Sequence, residues 1–276
     1  MERATWRLMI TPPMSGAENM SLDESLLETI AEENSKPILR LYDWDPPCLS
    51  LGYSQSFSDV NIERLKELGW DVVRRLTGGR AVLHIDELTY SVIAPVNEPR
   101  VKGSIIESYR RLSQALLAVL NTLSVTAIAK KEYNFPTQPN KIAPVCFEVP
   151  SKYEITVQGK KIIGSAQARK YGGVLQHGSL PLHGDLTRII EVLNFVNGIS
   201  REKAKERLSA HATTIESVLG KITPWDVAAN AFIEAFEKTL NIDFIKSDPT
   251  RSELERVNQL QKEKYGHDKW LQYKKL

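Results

Sequence analysis

The stretch VVRRLTGGRAVLH, Val72–His84, sets the strongest local limit on how this chain folds. Two short apolar runs rich in β-branched residues read as strands. Between them stand two arginines, Thr77 and the pair Gly78–Gly79. A glycine pair lets the backbone take positive φ and lets another group approach with no Cβ in the way. A plain hairpin turn satisfies that pattern. It does not require Arg74, Arg75, Arg80 and His84 to crowd the same place. Basic residues beside accessible backbone N–H groups suit an anionic or carbonyl-bearing ligand, so a structural turn and a ligand-facing one both fit.

Around this turn, strands and helices alternate. WRLMIT, PILRLYDW, CLSLGY, DVVRR, AVLH and ELTYSVIA read as strands. SLDESLLETIAEE reads as a helix opened by Ser21, with Glu24 three residues on as its capping-box partner. NIERLKELG reads as a helix between an Asn61 cap and a Gly69 stop. SIIESYRRLSQALLAVLNTL carries apolar residues at helical spacing. YEITVQG and KKIIGSAQ form two strands joined at Gly159 in the manner of a hairpin. The last third is more helical: LTRIIEVLNFV, SREKAKERL, PWDVAANAFIEAFEKTL and the charged ELERVNQLQKEKYG. No repeat or linker divides the chain. The expected fold is one α/β (α+β) domain with a mostly antiparallel sheet and helices packed on it. It spans 1–276, with a core at about 33–247 and a helical tail at 248–276.

Composition narrows the function classes. With 276 residues, 42% hydrophobic and 25% charged, the chain reads as ordinary globular protein rather than a disordered one. A formal charge of +2 carries no whole-chain signature of nucleic-acid binding. No apolar run approaches the roughly 18–20 residues that cross a bilayer, and the N-terminus lacks a signal-peptide pattern, so a cytoplasmic protein without a membrane partner is expected. Two cysteines, Cys48 and Cys146, build neither a disulfide framework nor a cysteine zinc cluster. His84, His177 and His183 lack metal-ligand spacing. Neither GxxxxGK[ST] nor GxGxxG occurs.

Two places remain that could carry chemistry. Cys48, in PPCLSLGY, sits in an apolar run and reads as core. Cys146 instead lies in YNFPTQPNKIAPVCFEVPS, a loop with four prolines and no periodicity, where an inert thiol and a nucleophile are equally open. Downstream, Lys160 and Lys161 precede the small-residue patch Gly164–Ser165–Ala166. Strand alternation turns only one of the two lysines inward. An inward ammonium beside a thiol would favour the thiolate, and its own desolvation would make it a usable proton carrier.

Taken together, NMSLDESLL, PILRLYDWDPPCLSLGYSQ, RRLTGGRAVLHIDELTYSV, YEITVQGKKIIGSAQARKYGGVLQHGSLPL and ELERVNQLQKEKYGHDKW resemble the lipoate–protein ligase and biotin–protein ligase catalytic family. The similarity runs over nearly the whole chain in the expected order. Within that family the chain is most similar to the cysteine-dependent octanoyltransferases, marked by a cysteine in the loop before the lysine hairpin. The resemblance implies transfer of octanoyl from acyl carrier protein to a lysine of a lipoyl domain, typically the glycine-cleavage H protein. It implies Cys146 as the nucleophile and Lys161, just before IIGSA, as the lysine that serves it. It also implies an acyl pocket walled by Arg74, Arg75, Thr77, Gly78, Gly79 and His84, with Gly164, Ser165 and Ala166 on the facing strand. No cofactor, metal or accessory C-terminal domain is expected. Two alternatives stay open: an ATP-dependent lipoate or octanoate ligase lacking its accessory domain, with Cys146 incidental, and a non-catalytic binder of lipoyl domains or carrier protein.

Overall fold

The computed structural model describes residues 1–32, 35–130, 154–195 and 200–273. In chain order these form β1 (Ala4–Ile10), α1 (Gly16–Thr29), β2 (Ile38–Tyr42), β3 (Cys48–Leu51), α2 (Ile62–Leu68), β4 (Asp71–Arg74), β5 (Val82–His84) and β6 (Glu87–Pro95). There follow α3 (Ile105–Thr122), β7 (Ile128–Lys130), β8 (Glu154–Val157), β9 (Lys160–Lys170) and β10 (Gly173–Pro181). The last third holds α4 (Arg201–His211), α5 (Ile215–Leu219), α6 (Trp225–Leu240), β11 (Ile242–Lys246), α7 (Arg251–Leu260) and α8 (Asp268–Tyr273). LTRIIEV winds as a tight 3-10 turn rather than an α-helix, and Gln261–Tyr265 is a π-turn that leads out of α7. Among the described residues no helix is long and apolar enough to cross a membrane.

Local chemistry accounts for most boundaries. The Asn61 side chain caps α2 by accepting from the Arg64 amide, and Gly69 ends it at φ 67°. Ser104 and Glu107 close a capping box on α3. The start of α1 differs from the sequence reading. Its cap is Ser15, boxed with Glu18, and Ser21 lies fully buried inside the helix. The same Ser-x-x-Glu spacing occurs at both places, and tertiary contact chooses between them. Gly16 opens the helix so close to β3 that an added Cβ would stand 2.6 Å from Cys48 Sγ.

Eight strands form the main sheet in the order β11-β1-β2-β6-β10-β9-β8-β7. The pairs β11–β1 and β1–β2 are parallel, and every pair from β2 onward is antiparallel. A second sheet, β4-β3-β5, packs beside it. There β3 pairs in parallel with β4 and antiparallel with β5. The Gly-Gly turn is therefore no hairpin. It carries the chain from one side of β3 to the other.

Alternation sorts the main sheet into two buried faces. Leu41, Tyr90, Val92 and Leu180 pack with Leu116, Phe232 and Phe236 of α3 and α6. Ile38, Tyr42, Ile93 and Leu175 pack on the other face with Leu26 and Leu27 of α1. Each of these large side chains contributes roughly 1.5–3 kcal/mol of burial. Residues outside 33–247 belong to these cores as well: Trp6 is fully buried in the first, and Leu260, Tyr265 and Trp270 pack in the second.

Candidate active site

A cleft opens where the two sheets meet. The main sheet contributes Thr89 from β6, His177 and Ser179 from β10, and Gly164, Ser165 and Ala166 from β9. Arg75, Val82 and His84 face them from the small sheet, and Tyr42 and Trp44 complete the wall. The cleft holds about 370 Å³ of atom-free space including its mouth.

The turn above the cleft is shaped by its own arginines. Arg75 donates to Ser50 Oγ at 2.5 Å and to the Ser50 carbonyl at 2.7 Å. Its other nitrogen reaches the carbonyls of Gly78 (3.3 Å) and Arg80 (3.0 Å), so the turn is wrapped around one guanidinium. Gly79 sits at φ 95°, and its carbonyl lies so close to Gly52 that a Cβ there would come within 1.9 Å. Arg74 is fully buried and turned away from the cleft. It donates to the carbonyls of Gly52, Tyr53 and Gln55 at 2.7–3.2 Å and to Leu271 O at 2.8 Å. Of the residues expected to wall a pocket, Arg75, His84, Gly164, Ser165 and Ala166 line it; Arg74 and Thr77 are buried outside its lining, and Gly78 and Gly79 are exposed on the turn. The sequence showed positive charge at a glycine turn but not the carbonyls that consume it.

Two buried histidines brace the wall. His84 Nε2 meets Ser50 Oγ at 2.7 Å and its Nδ1 meets Glu87 Oε1 at 3.1 Å. Its ring stacks on Trp44, whose indole N–H donates to Thr89 Oγ1 at 2.8 Å. Thr89 in turn donates to Glu87. His177 Nε2 meets Thr77 Oγ1 at 2.6 Å and its Nδ1 meets Asp23 Oδ2 at 3.4 Å. Asp23 also accepts from Arg40 (2.8 Å), Tyr42 (3.0 Å) and Ser91 (3.0 Å). Burial, reinforced by Arg75, pushes the His84 imidazole well below its ordinary pKa. Burial also lowers His177, against the pull of Asp23. Both rings are therefore neutral near pH 7.

The lysine hairpin forms as the alternation requires, with one departure. Lys160 is exposed and donates to Ser209 O at 2.7 Å, while Lys161 is buried against Glu154 at 3.1 Å. The register shifts by one residue between Thr156↔Lys161 and Ile155↔Ile163. That bulge places Lys161 on the same face as Gly164 and Ala166, the face of the cleft. Cys146 lies outside the described residues. Cys48 is fully buried, and burial raises its thiol well above the ordinary range, which disfavours the thiolate. The sequence reading missed Asp23, Trp44 and Glu87 as parts of the site and weighed His177 only as a metal ligand. No local signal marks them: Asp23 stands beside Glu24 and Glu87 beside Asp86, so each reads as one of a charged pair.

This architecture matches known proteins closely. Residues 15–240 match the lipoyl protein ligase A/B catalytic domain family. The chain is 38% identical over 274 residues to octanoyltransferase LipM of Anoxybacillus flavithermus, covering 98% of this chain and 99% of the relative. It is 37% identical to octanoyltransferase LipM of Bacillus subtilis, covering 98% and 99%. Among solved structures, the bi-partite lipoate protein ligase of Thermoplasma acidophilum, studied with its E2 lipoyl domain, superposes with a TM-score of 0.80 at 25% identity, covering 98% of this chain and 97% of that one. A lipoate-protein ligase A bound with ATP gives 0.79 at 27%, covering 99% of each.

Proposed function

We propose that this chain, which belongs to the lipoyl protein ligase A/B catalytic domain family, is an octanoyltransferase of lipoate biosynthesis that carries its acyl group on Cys146. Full-length similarity to octanoyltransferases is the observation that carries this reading. The octanoyl donor is an acyl carrier protein thioester, and the acceptor is a lysine of a lipoyl domain, with the glycine-cleavage H protein as the first candidate. On this reading the reaction belongs to the cytoplasm.

The chemistry is two acyl transfers. The Cys146 thiolate attacks the thioester carbonyl, a new carbon–sulfur bond forms, and the pantetheine thiolate leaves and takes a proton. The acceptor amine then attacks the acyl-cysteine, the amide bond forms, the amine loses a proton, and Cys146 departs as thiolate. Lys161, buried on the cleft face, supplies a positive charge that favours the thiolate and a site for the moving proton. A thioester is already activated, so neither a nucleotide nor a metal has a step to perform.

One assay separates this reading from a ligase. Purified protein, octanoyl-carrier and apo-H protein are mixed with and without ATP. Octanoylated acceptor should form at the same rate in both. An inert first mixture, together with lipoylated acceptor from free lipoate plus ATP, would establish the ligase instead.

A further inference from the structure

Thr77 is fully buried and outside the cleft wall, yet it belongs to the turn that carries Arg75 into it. Its hydroxyl meets His177 Nε2 at 2.6 Å, and its carbonyl accepts the Tyr53 amide at 2.8 Å. His177 lies on the central strand β10, and its other nitrogen faces Asp23 of α1. Resting on the acyl-transfer reading above, we infer that Asp23, His177 and Thr77 form a positioning latch, in which Asp23 fixes the His177 tautomer so that the imidazole holds the RRLTGG turn against the main sheet.

The direction of each bond follows from chemistry. Asp23 is held ionised: burial opposes its charge, but His177 and Arg40 outweigh it and keep the carboxyl below its ordinary range. An ionised carboxylate only accepts, so the proton between it and Nδ1 belongs to the imidazole. The groups facing His177 are Asp23 from α1, Arg40 from β2, Arg75 at the end of β4, and His84 of β5. Two of these are permanent cations, and together with burial they keep the ring from taking a second proton. Nε2 is therefore a bare acceptor, and only a hydroxyl donating to it makes a good bond at 2.6 Å. With the other tautomer, a lone pair would face a carboxylate and the threonine bond would have to reverse.

The latch lies beside the cleft without touching it at Thr77. Releasing Thr77 frees the turn that Arg75 is wrapped into, and with it the small-sheet wall of the cleft. The loss should fall on acyl binding rather than on the chemical step. The three partners come from residues far apart in sequence, 154 positions between Asp23 and His177 and 100 between His177 and Thr77.

The test joins a spectroscopic readout to kinetics. Side-chain nitrogen shifts of isotope-labelled histidine, assigned with His177→Gln, should show His177 neutral with its proton on Nδ1. Thr77→Val should leave that tautomer in place, raise the apparent KM for octanoyl-carrier by about five- to tenfold and leave kcat within about twofold. Thr77→Ser should restore KM. Asp23→Asn should introduce the Nε2–H tautomer, and its KM effect should not add to that of Thr77→Val. If Asp23→Asn does not fold, the wild-type tautomer and the Thr77 pair still decide. An Nε2–H proton in the wild type, an unchanged KM in Thr77→Val, or a Thr77→Ser variant as impaired as Thr77→Val would overturn the latch. Failure of the acyl-transfer reading would look different: no variant would take up octanoyl, while the tautomer would still report on the latch.

Discussion

Trp44 lies flat against His84, with ring centroids 4.0 Å apart and planes inclined by 17°. The pair closes one side of the cleft, and Trp44 is almost fully buried. Trp44→Ala should cost about 3 kcal/mol in stability and leave room for a longer acyl chain. Urea unfolding reads the first effect, and competition between octanoyl- and decanoyl-carrier reads the second. A variant that loses stability but keeps the wild-type preference would show that Trp44 packs the wall without limiting chain length.

Beneath that pair, burial raises the Glu87 carboxyl to about 7, although hydrogen bonds from Ser179, Thr89 and Trp44 pull the other way. The folded protein thus holds a proton that the unfolded chain gives up near its ordinary value of 4.5. Stability from this group is fully present below that value and falls as pH rises toward 7, then levels. Measured against Glu87→Gln, which stays neutral, the wild type should lose about 3 kcal/mol of relative stability across this window. A constant difference between the two proteins from pH 4 to 8 would contradict the assignment.

Arg74 is a structural residue in this fold. It joins the segment at Gly52–Gln55 to Leu271, and its own carbonyl accepts the Trp270 indole N–H at 3.0 Å. Arg74→Lys keeps the charge, but its single nitrogen cannot serve the Gly52–Gln55 carbonyls and Leu271 O together, as the separate Nη1 and Nε of arginine do. The expected result is a loss of about 2–3 kcal/mol in stability with the KM for octanoyl-carrier unchanged. A tenfold rise in KM at unchanged stability would return Arg74 to the substrate.

The C-terminal segment is held through a buried ion pair. Lys264 Nζ donates to both oxygens of Glu24 at 2.7 Å and lies 4.0 Å above the Trp270 ring. Lys264→Met leaves the Glu24 carboxylate buried and uncompensated and should cost about 3–5 kcal/mol. Adding Glu24→Gln should recover much of that loss. Equal stability of the single and double variants would show that the pair is not coupled.

Much of this was readable in the residues, and the failures share a cause. Caps and stops that act within one turn, such as Asn61 and Gly69, are written locally and form where the sequence places them. Ser15 and Ser21 carry the same local signature, and the choice depends on the close contact between Gly16 and Cys48, which no window contains. Alternation limited the inward lysine to one of two, but the bulge that sets Lys161 on the cleft face depends on pairing with β8. The histidine braces and the carbonyl partners of Arg74 join residues from distant parts of the chain. Charge beside a glycine turn is visible in a sequence, whereas what the charge is spent on is not.

The central claim is that Cys146 carries the acyl group. Intact-protein mass spectrometry after mixing with octanoyl-carrier, before any acceptor is added, tests it most directly. The wild type should gain the mass of one octanoyl group, lose it on adding apo-H protein, and yield an octanoylated peptide that contains Cys146. Cys48→Ala should behave as the wild type, Lys161→Ala should acylate slowly with a raised Cys146 pKa in alkylation, and Cys146→Ala should gain nothing. An adduct that persists in Cys146→Ala, or acceptor octanoylation by that variant at the wild-type rate, would contradict the account.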